Sequence, residues 1–258
     1  MTIPVTKPAK DIQPAKNPNH LFETIKTIFI AALFAMTIRS VAFEPFSIPS
    51  GSMVPTLLVG DYLFVAKYAY GYSKYSFPMG VFPIQERLKP KQPDRGDVIV
   101  FRKPTDVRID FIKRLVGLPG DKIQVRKGRL YINDKMVERK FIGNYESRLA
   151  DGSIAMHRRY WETLPGGKKH LIIERGDNGP LDNTPAYNVP EGHYFMMGDN
   201  RDGSQDSRVL SDVGYVPYEN LIGRATYLFF SVDEDAAAWE FWRWPWTVRF
   251  TRIFNHIN

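Results

Sequence analysis

Asp110-Phe111-Ile112-Lys113-Arg114-Leu115-Val116, closed by Gly117-Leu118-Pro119-Gly120, is the stretch from which the fold reads most directly. A short apolar run that ends in glycine–proline turn chemistry predicts a β-strand followed by a turn. On a strand, residues two apart share a face, so Lys113 lies between Phe111 and Leu115. An ammonium held between two large apolar side chains is poorly hydrated, which lowers its pKa. A drop of about 2–3 units from about 10.4 gives a usable base. That costs roughly 3–4 kcal/mol at about 1.36 kcal/mol per unit, which burial can supply.

The same pattern recurs outward from this strand. Tyr62–Ala66 follows a Gly60-Asp61 turn, and Asp97–Phe101 follows Arg95-Gly96. Lys122–Val125 and Arg129–Ile132 flank Lys127-Gly128, and Gly192–Gly198 is another apolar run. With 19 glycines, 19 prolines and 14% aromatic residues among 258, the chain predicts a mainly β, turn-rich body of two antiparallel-sheet subdomains. The body is expected over 44–238. Residues 139–190, more polar and broken by Pro165-Gly166-Gly167 and Asn178-Gly179-Pro180, are read as an inserted β subdomain. Absence of cysteine excludes disulfides, thiolate catalysis and cysteine-bound metals.

The net charge of +7 points to an anionic partner. No helix-turn-helix or RNA-binding signature is present, so membrane phospholipid headgroups are expected rather than nucleic acid. Leu21–Phe43 is 23 residues long, roughly 35 Å as a helix. That suffices for a hydrocarbon core of about 30 Å, although the charge-free centre Thr27–Ile38 is 12 residues. Lys7, Lys10, Lys16 and Lys26 precede or border it. The positive-inside rule therefore predicts a single pass of the cytoplasmic membrane, residues 1–20 as a cytoplasmic tail, and the body outside. Ser40-Val41-Ala42 also fits a cleavage site of a signal peptide, but Arg39 separates it from the apolar run. At the other end, Trp239, Trp242, Trp244 and Trp246 mix with Arg243, Arg249 and Arg252. Residues 239–258 are expected at the membrane interface.

Pro49-Ser50-Gly51-Ser52-Met53-Val54-Pro55-Thr56-Leu57 places two serines directly after the apolar segment. A nucleophilic serine needs a base. The histidines at 20, 157, 170, 193 and 256 have no triad context, which leaves Lys113. A polar loop, Gly198-Asp199-Asn200-Arg201-Asp202-Gly203-Ser204-Gln205-Asp206-Ser207-Arg208, completes the set. It lacks the glutamate of an EF-hand, so neither a metal nor a cofactor is expected.

Taken in order, Pro49–Leu57 with Gly60-Asp61, Arg95–Phe101, Lys113–Asp121 and Gly198–Arg208 resemble the bacterial type I signal peptidases. These are membrane-anchored Ser–Lys endopeptidases of β fold that remove signal peptides from preproteins. The resemblance implies Ser52 as nucleophile and Lys113 as general base. It implies an oxyanion hole from the Ser52 N–H and the Ser50 hydroxyl, with Ser204 orienting Lys113. Asp199 with Arg114, and Asp206 with Arg208, would brace the site as ion pairs. Phe46, Ile48, Met53, Leu57, Phe111 and Ile112 would line shallow pockets for small substrate residues of the Ala-x-Ala type. One departure is Gly203, where the family pattern usually has asparagine; the expectation is a looser loop. Other readings are a Ser–Lys self-cleaving repressor, a pilus-processing peptidase, or a silent precursor-binding protein.

Overall fold

The computed structural model describes residues 20–76, 86–148, 153–233 and 239–257. The expected tail over 1–20 lies outside them apart from His20. Helix α1 (His20–Val41) covers most of the expected span. Its apolar residues are spread around the helix, and Leu21, Phe22, Phe29 and Phe34 are exposed. No helix among the described residues is long and apolar enough to cross a membrane. Glu23, Lys26 and Arg39 restrict the charge-free stretch to about 18 Å at 1.5 Å per residue. Phe43, expected inside the segment, instead begins the first strand.

In chain order the strands are β1 (Phe43–Ser47), β2 (Asp61–Ala66), β3 (Val98–Lys103), β4 (Asp106–Gly117), β5 (Lys122–Arg126), β6 (Arg129–Ile132) and β7 (Lys135–Met136). They continue as β8 (Glu138–Arg148), β9 (Ile154–Thr163), β10 (Lys169–Glu174), β11 (Tyr187–Asn188), β12 (His193–Met197), β13 (Val216–Pro217) and β14 (Leu221–Ser231). They form three antiparallel sheets, ordered β1-β2-β14-β3-β4-β12-β13, β10-β9-β8 and β11-β5-β6-β7. From Arg39 onward the chain packs as one compact unit. The expected insert at 139–190 forms its own sheet only over Glu138–Glu174. Tyr187 and Asn188 return to pair with Ile123 and Lys122.

The apolar pattern explains the layering. Val98 and Val100 enter one core cluster with Met53, Leu57, Leu63 and Leu228. Ile99 and Phe101, on the other face, join Leu115, Tyr194 and Met196. A strand buried on both faces reads as a continuous apolar run, as Val98–Phe101 does. Strand β12 behaves likewise: Phe195 and Met197 turn to a third cluster with Val116, Ile123 and Leu130. Each such side chain contributes about 1.5–3 kcal/mol. The hairpin β5–β6 turns at Lys127 (φ 46°) and Gly128 (φ 68°), both left-handed, the geometry that suits the twist of two-residue hairpins.

The carboxy-terminal segment is laced onto β14. Arg249 N–H donates to the Ser231 carbonyl (2.9 Å), and Ile257 N–H to that of Thr226 (2.8 Å). Helix α2 (Trp244–Thr247) lies here, with the Trp244 ring 5.0 Å from Phe230. Trp239, Phe241, Trp246, Phe250 and Phe254 stay exposed. The lacing ends at fully buried Asp61, which accepts from Arg252 Nε (3.0 Å), Ser231 Oγ (2.7 Å) and Leu58 N–H (2.8 Å). Removing one partner of such a pair strands the other. Asp61→Ala is therefore expected to cost about 3 kcal/mol in denaturant unfolding; an unchanged midpoint would contradict this role.

Candidate active site

The turn Gly51–Met53 is a single 3₁₀ turn between β1 and β2. It carries Ser52 to the side of β4, where Lys113 is paired in register with Ile99. Lys113 Nζ donates to Ser52 Oγ at 2.7 Å and to the Ile112 carbonyl at 3.1 Å. Lys113 is 4% exposed and Ser52 7%, and Nζ lies 5.1 Å from the Phe111 ring centroid. Burial pushes the Lys113 ammonium down to about 8, although Asp206 and Asp199 pull the other way. Ser50 Oγ is 3.4 Å from Ser52 Oγ.

Those two acids are neutralised locally. Asp199 takes Arg114 Nε at 2.8 Å and Nη2 at 2.7 Å, and its second oxygen also accepts from Thr56 Oγ1 at 2.5 Å. Asp206 takes Arg208 Nε at 2.8 Å and Nη2 at 2.9 Å, and accepts Gly198 N–H at 3.0 Å. Burial alone would raise both carboxyls, but their arginines hold them below the usual range. Behind them, Arg201 reaches Glu162 on β9 (3.0 Å), and His170 on β10 lies 3.9 Å from Asp199. Burial and Arg114 push the His170 imidazolium down. The separate sheet thus buttresses the polar loop, a role its polar sequence did not reveal.

A cavity of about 560 Å³ opens between β1 and the first half of β4. Phe46, Ile48, Phe111 and Ile112 line it together with Ser50, Ser52 and Lys113. Met53 and Leu57 do not: both are fully buried in the core beneath, because the turn after Ser52 folds them inward. Asp110 and Gln205 also line it and were not anticipated. Burial raises the Asp110 carboxyl. A strand-facing argument would have flagged Asp110, two residues from Ile112.

Two other expectations change. Ser204 Oγ is buried without a hydrogen-bond partner, so the expected bond to Lys113 is not formed. The donors of Nζ are directed at Ser52 and Ile112 instead. Nor is the loop loosened by Gly203. Arg201–Gly203 is a 3₁₀ turn whose last N–H is held by the Asn200 side chain at 3.1 Å. Gly198 is needed for close approach: a Cβ there would overlap Ser204 and lie 2.6 Å from the Ser52 carbonyl oxygen.

A mainly antiparallel β body with a buried serine–lysine pair in a groove wall has the features of a serine hydrolase that dispenses with histidine. The family model described as "Signal peptidase, peptidase S26" matches residues 21–230. The chain belongs to that family, and is an endopeptidase of it. Signal peptidase I of Rickettsia typhi is 41% identical, across 91% of this chain and 95% of its own. That of Rickettsia akari is 42% identical, across 86% and 88%. A solved signal peptidase I from Enterococcus faecalis is 28% identical, covering 52% of this chain and 97% of its own, with a TM-score of 0.30.

A lysine with a pKa near 8 predicts the pH profile. If Lys113 serves as a general base, only its neutral amine is competent, so kcat/KM should climb about tenfold per pH unit below 8 and level off above it. A flat profile between pH 6 and 9 would contradict this. Lys113→Arg should be inactive throughout, since guanidinium stays protonated. Gly198→Ala should abolish turnover by displacing Ser204 and the Ser52 turn; wild-type kcat in that variant would show that the close approach is dispensable.

Proposed function

We propose that this chain is a signal peptidase I that removes signal peptides from preproteins at a membrane surface, with Ser52 as nucleophile and Lys113 as base. The observation that carries this reading is the 2.7 Å bond from a buried, easily neutralised Lys113 to Ser52. Neutral Nζ takes the Ser52 proton as Oγ attacks the scissile carbonyl. The Ser52 N–H and the Ser50 hydroxyl stabilise the oxyanion. Lys113 returns the proton to the leaving amine, and the new amino terminus departs. Water, deprotonated by Lys113, then hydrolyses the acyl-Ser52 ester.

Two open strand edges support an extended substrate. β1 is the terminal strand of its sheet, and β12 pairs with β4 only from Arg114 to Gly117. A peptide laid in the cavity would add as a strand, with main-chain bonds supplying affinity. Alternate side chains would meet Phe46, Ile48, Phe111 and Ile112, whose bulk favours small residues such as Ala at −1 and −3. The apolar helix α1 would hold the chain at the membrane, with the body on the extracytoplasmic side, in keeping with Lys7, Lys10 and Lys16 before it. The exposed Trp239, Trp242 and Trp246 would rest among phospholipid headgroups.

The test compares wild type with Ser52→Ala in detergent on a secretory precursor, with the product's amino terminus sequenced. Cleavage after a small-x-small site by wild type alone is expected. Equal cleavage by Ser52→Ala, or none by folded wild type, would overturn the reading. Ser50→Ala should lower kcat by about 10²-fold with little change in KM; a change in KM alone would remove Ser50 from the oxyanion hole.

A further inference from the structure

We infer that Asn200 is a positioning residue of this site: its carboxamide fixes the plane of the Gly51–Ser52 peptide, and residue 203 is glycine to leave room for it. The inference rests on the acyl-transfer reading of Ser52 above.

Asn200 holds the nucleophile turn at two consecutive carbonyls. Its main-chain N–H donates to the Ser52 carbonyl at 3.1 Å. Its Nδ2 donates to the Gly51 carbonyl at 3.1 Å, while its Oδ1 accepts Gly203 N–H at 3.1 Å. The orientation of the amide is unambiguous, since a carbonyl can only accept and a main-chain N–H can only donate. The Gly51 carbonyl takes a second bond from Val54 N–H at 3.2 Å.

The consequence follows from peptide geometry. In a planar trans peptide the C=O and N–H point in opposite directions. Fixing the Gly51 oxygen therefore fixes the direction of the Ser52 N–H, the proposed oxyanion donor. The peptide on the other side of Ser52 is fixed through the Ser52 carbonyl. With both planes tied to one residue, Ser52 cannot change φ or ψ without losing a bond. The tether matters because Gly51 is the most permissive residue the turn could contain. A donor on the carbonyl also polarises the peptide and strengthens its N–H as a donor.

Gly203 then has a physical reason. Its φ is not in the left-handed region, so the backbone does not demand glycine. Space does: a Cβ would lie 2.5 Å from Asn200 Nδ2 and 2.8 Å from its Cγ and Oδ1. In this loop a Cβ at 203 would press on the carboxamide that holds Gly51, which would have to shift.

Asn200→Asp separates positioning from simple capping. Aspartate still accepts Gly203 N–H and caps the turn well, but has no donor for the Gly51 carbonyl. Steady-state kinetics on a secretory precursor peptide would be measured across pH for wild type, Asn200→Asp, Gly203→Ala, Asn200→Ala and the Asn200→Ala/Gly203→Ala pair. On the alkaline plateau Asn200→Asp should lose about 10- to 100-fold in kcat, less than deletion of an oxyanion donor, with KM within about twofold. Gly203→Ala should lose kcat alone but add nothing in the Asn200→Ala background. If Asn200→Asp fails to fold, Asn200→Ser, which caps without a carboxamide, carries the same expectation. Wild-type plateau kcat in the aspartate or serine variant overturns the inference. So does a loss that vanishes at high pH, which would be the new charge acting on Lys113, or independent effects of the two alanines. Ser52→Ala run in parallel keeps the outcomes distinct: if it remains active the acyl-transfer reading fails, and if it is inactive while Asn200→Asp is unaffected only this inference fails.

Discussion

A lysine held out of water is the constraint on which the rest of this structure depends. Burial favours the neutral amine of Lys113, but the two acids nearest in effect, Asp206 and Asp199, favour the ammonium. Left bare, they would favour the charged form of Lys113 still more. Each is instead closed off by a two-toothed arginine contact, Arg208 for Asp206 and Arg114 for Asp199. The two ion pairs therefore do more than brace a loop. They spend the acids' charge locally so that desolvation decides the state of Lys113.

The fold delivers this arrangement through strands buried on both faces. Ile99 and Val100 of β3 face different clusters, which fixes the register of β4 and hence the direction of Lys113. A slip of one residue would move every side chain of β4 to the other face. On the far side, the sheet of β8, β9 and β10 supplies Glu162 and His170 beneath the polar loop. The insert is thus continuous with the site, although its sequence reads as a polar appendage.

Much of this was legible in the chain. Strand periodicity placed Lys113 between apolar neighbours, and the apolar runs marked β2, β3, β5, β6 and β12. What escaped was whatever depends on how a turn enters the core. Met53 and Leu57 are apolar and follow Ser52, yet the turn directs them away from the groove. Ser204 packs against Gly198, its hydroxyl buried without a hydrogen-bond partner. Gly203 reads as lost order in the sequence, whereas a Cβ there would meet the Asn200 carboxamide, which no spacing rule shows. The apolar segment announces a helix, which forms over His20–Val41, but Glu23, Lys26 and Arg39 leave its charge-free stretch short, which periodicity does not weigh.

The most direct test of the account is the titration of Lys113 itself, followed by NMR of the protein carrying ¹³Cε- and ¹⁵Nζ-labelled lysine, with the resonance assigned by its loss in Lys113→Arg. Lys113 is expected to titrate near 8, well below the usual value of about 10.4. If the Lys113 resonance titrates with the ordinary lysines, the amine is charged at working pH and the Ser52–Lys113 mechanism is wrong.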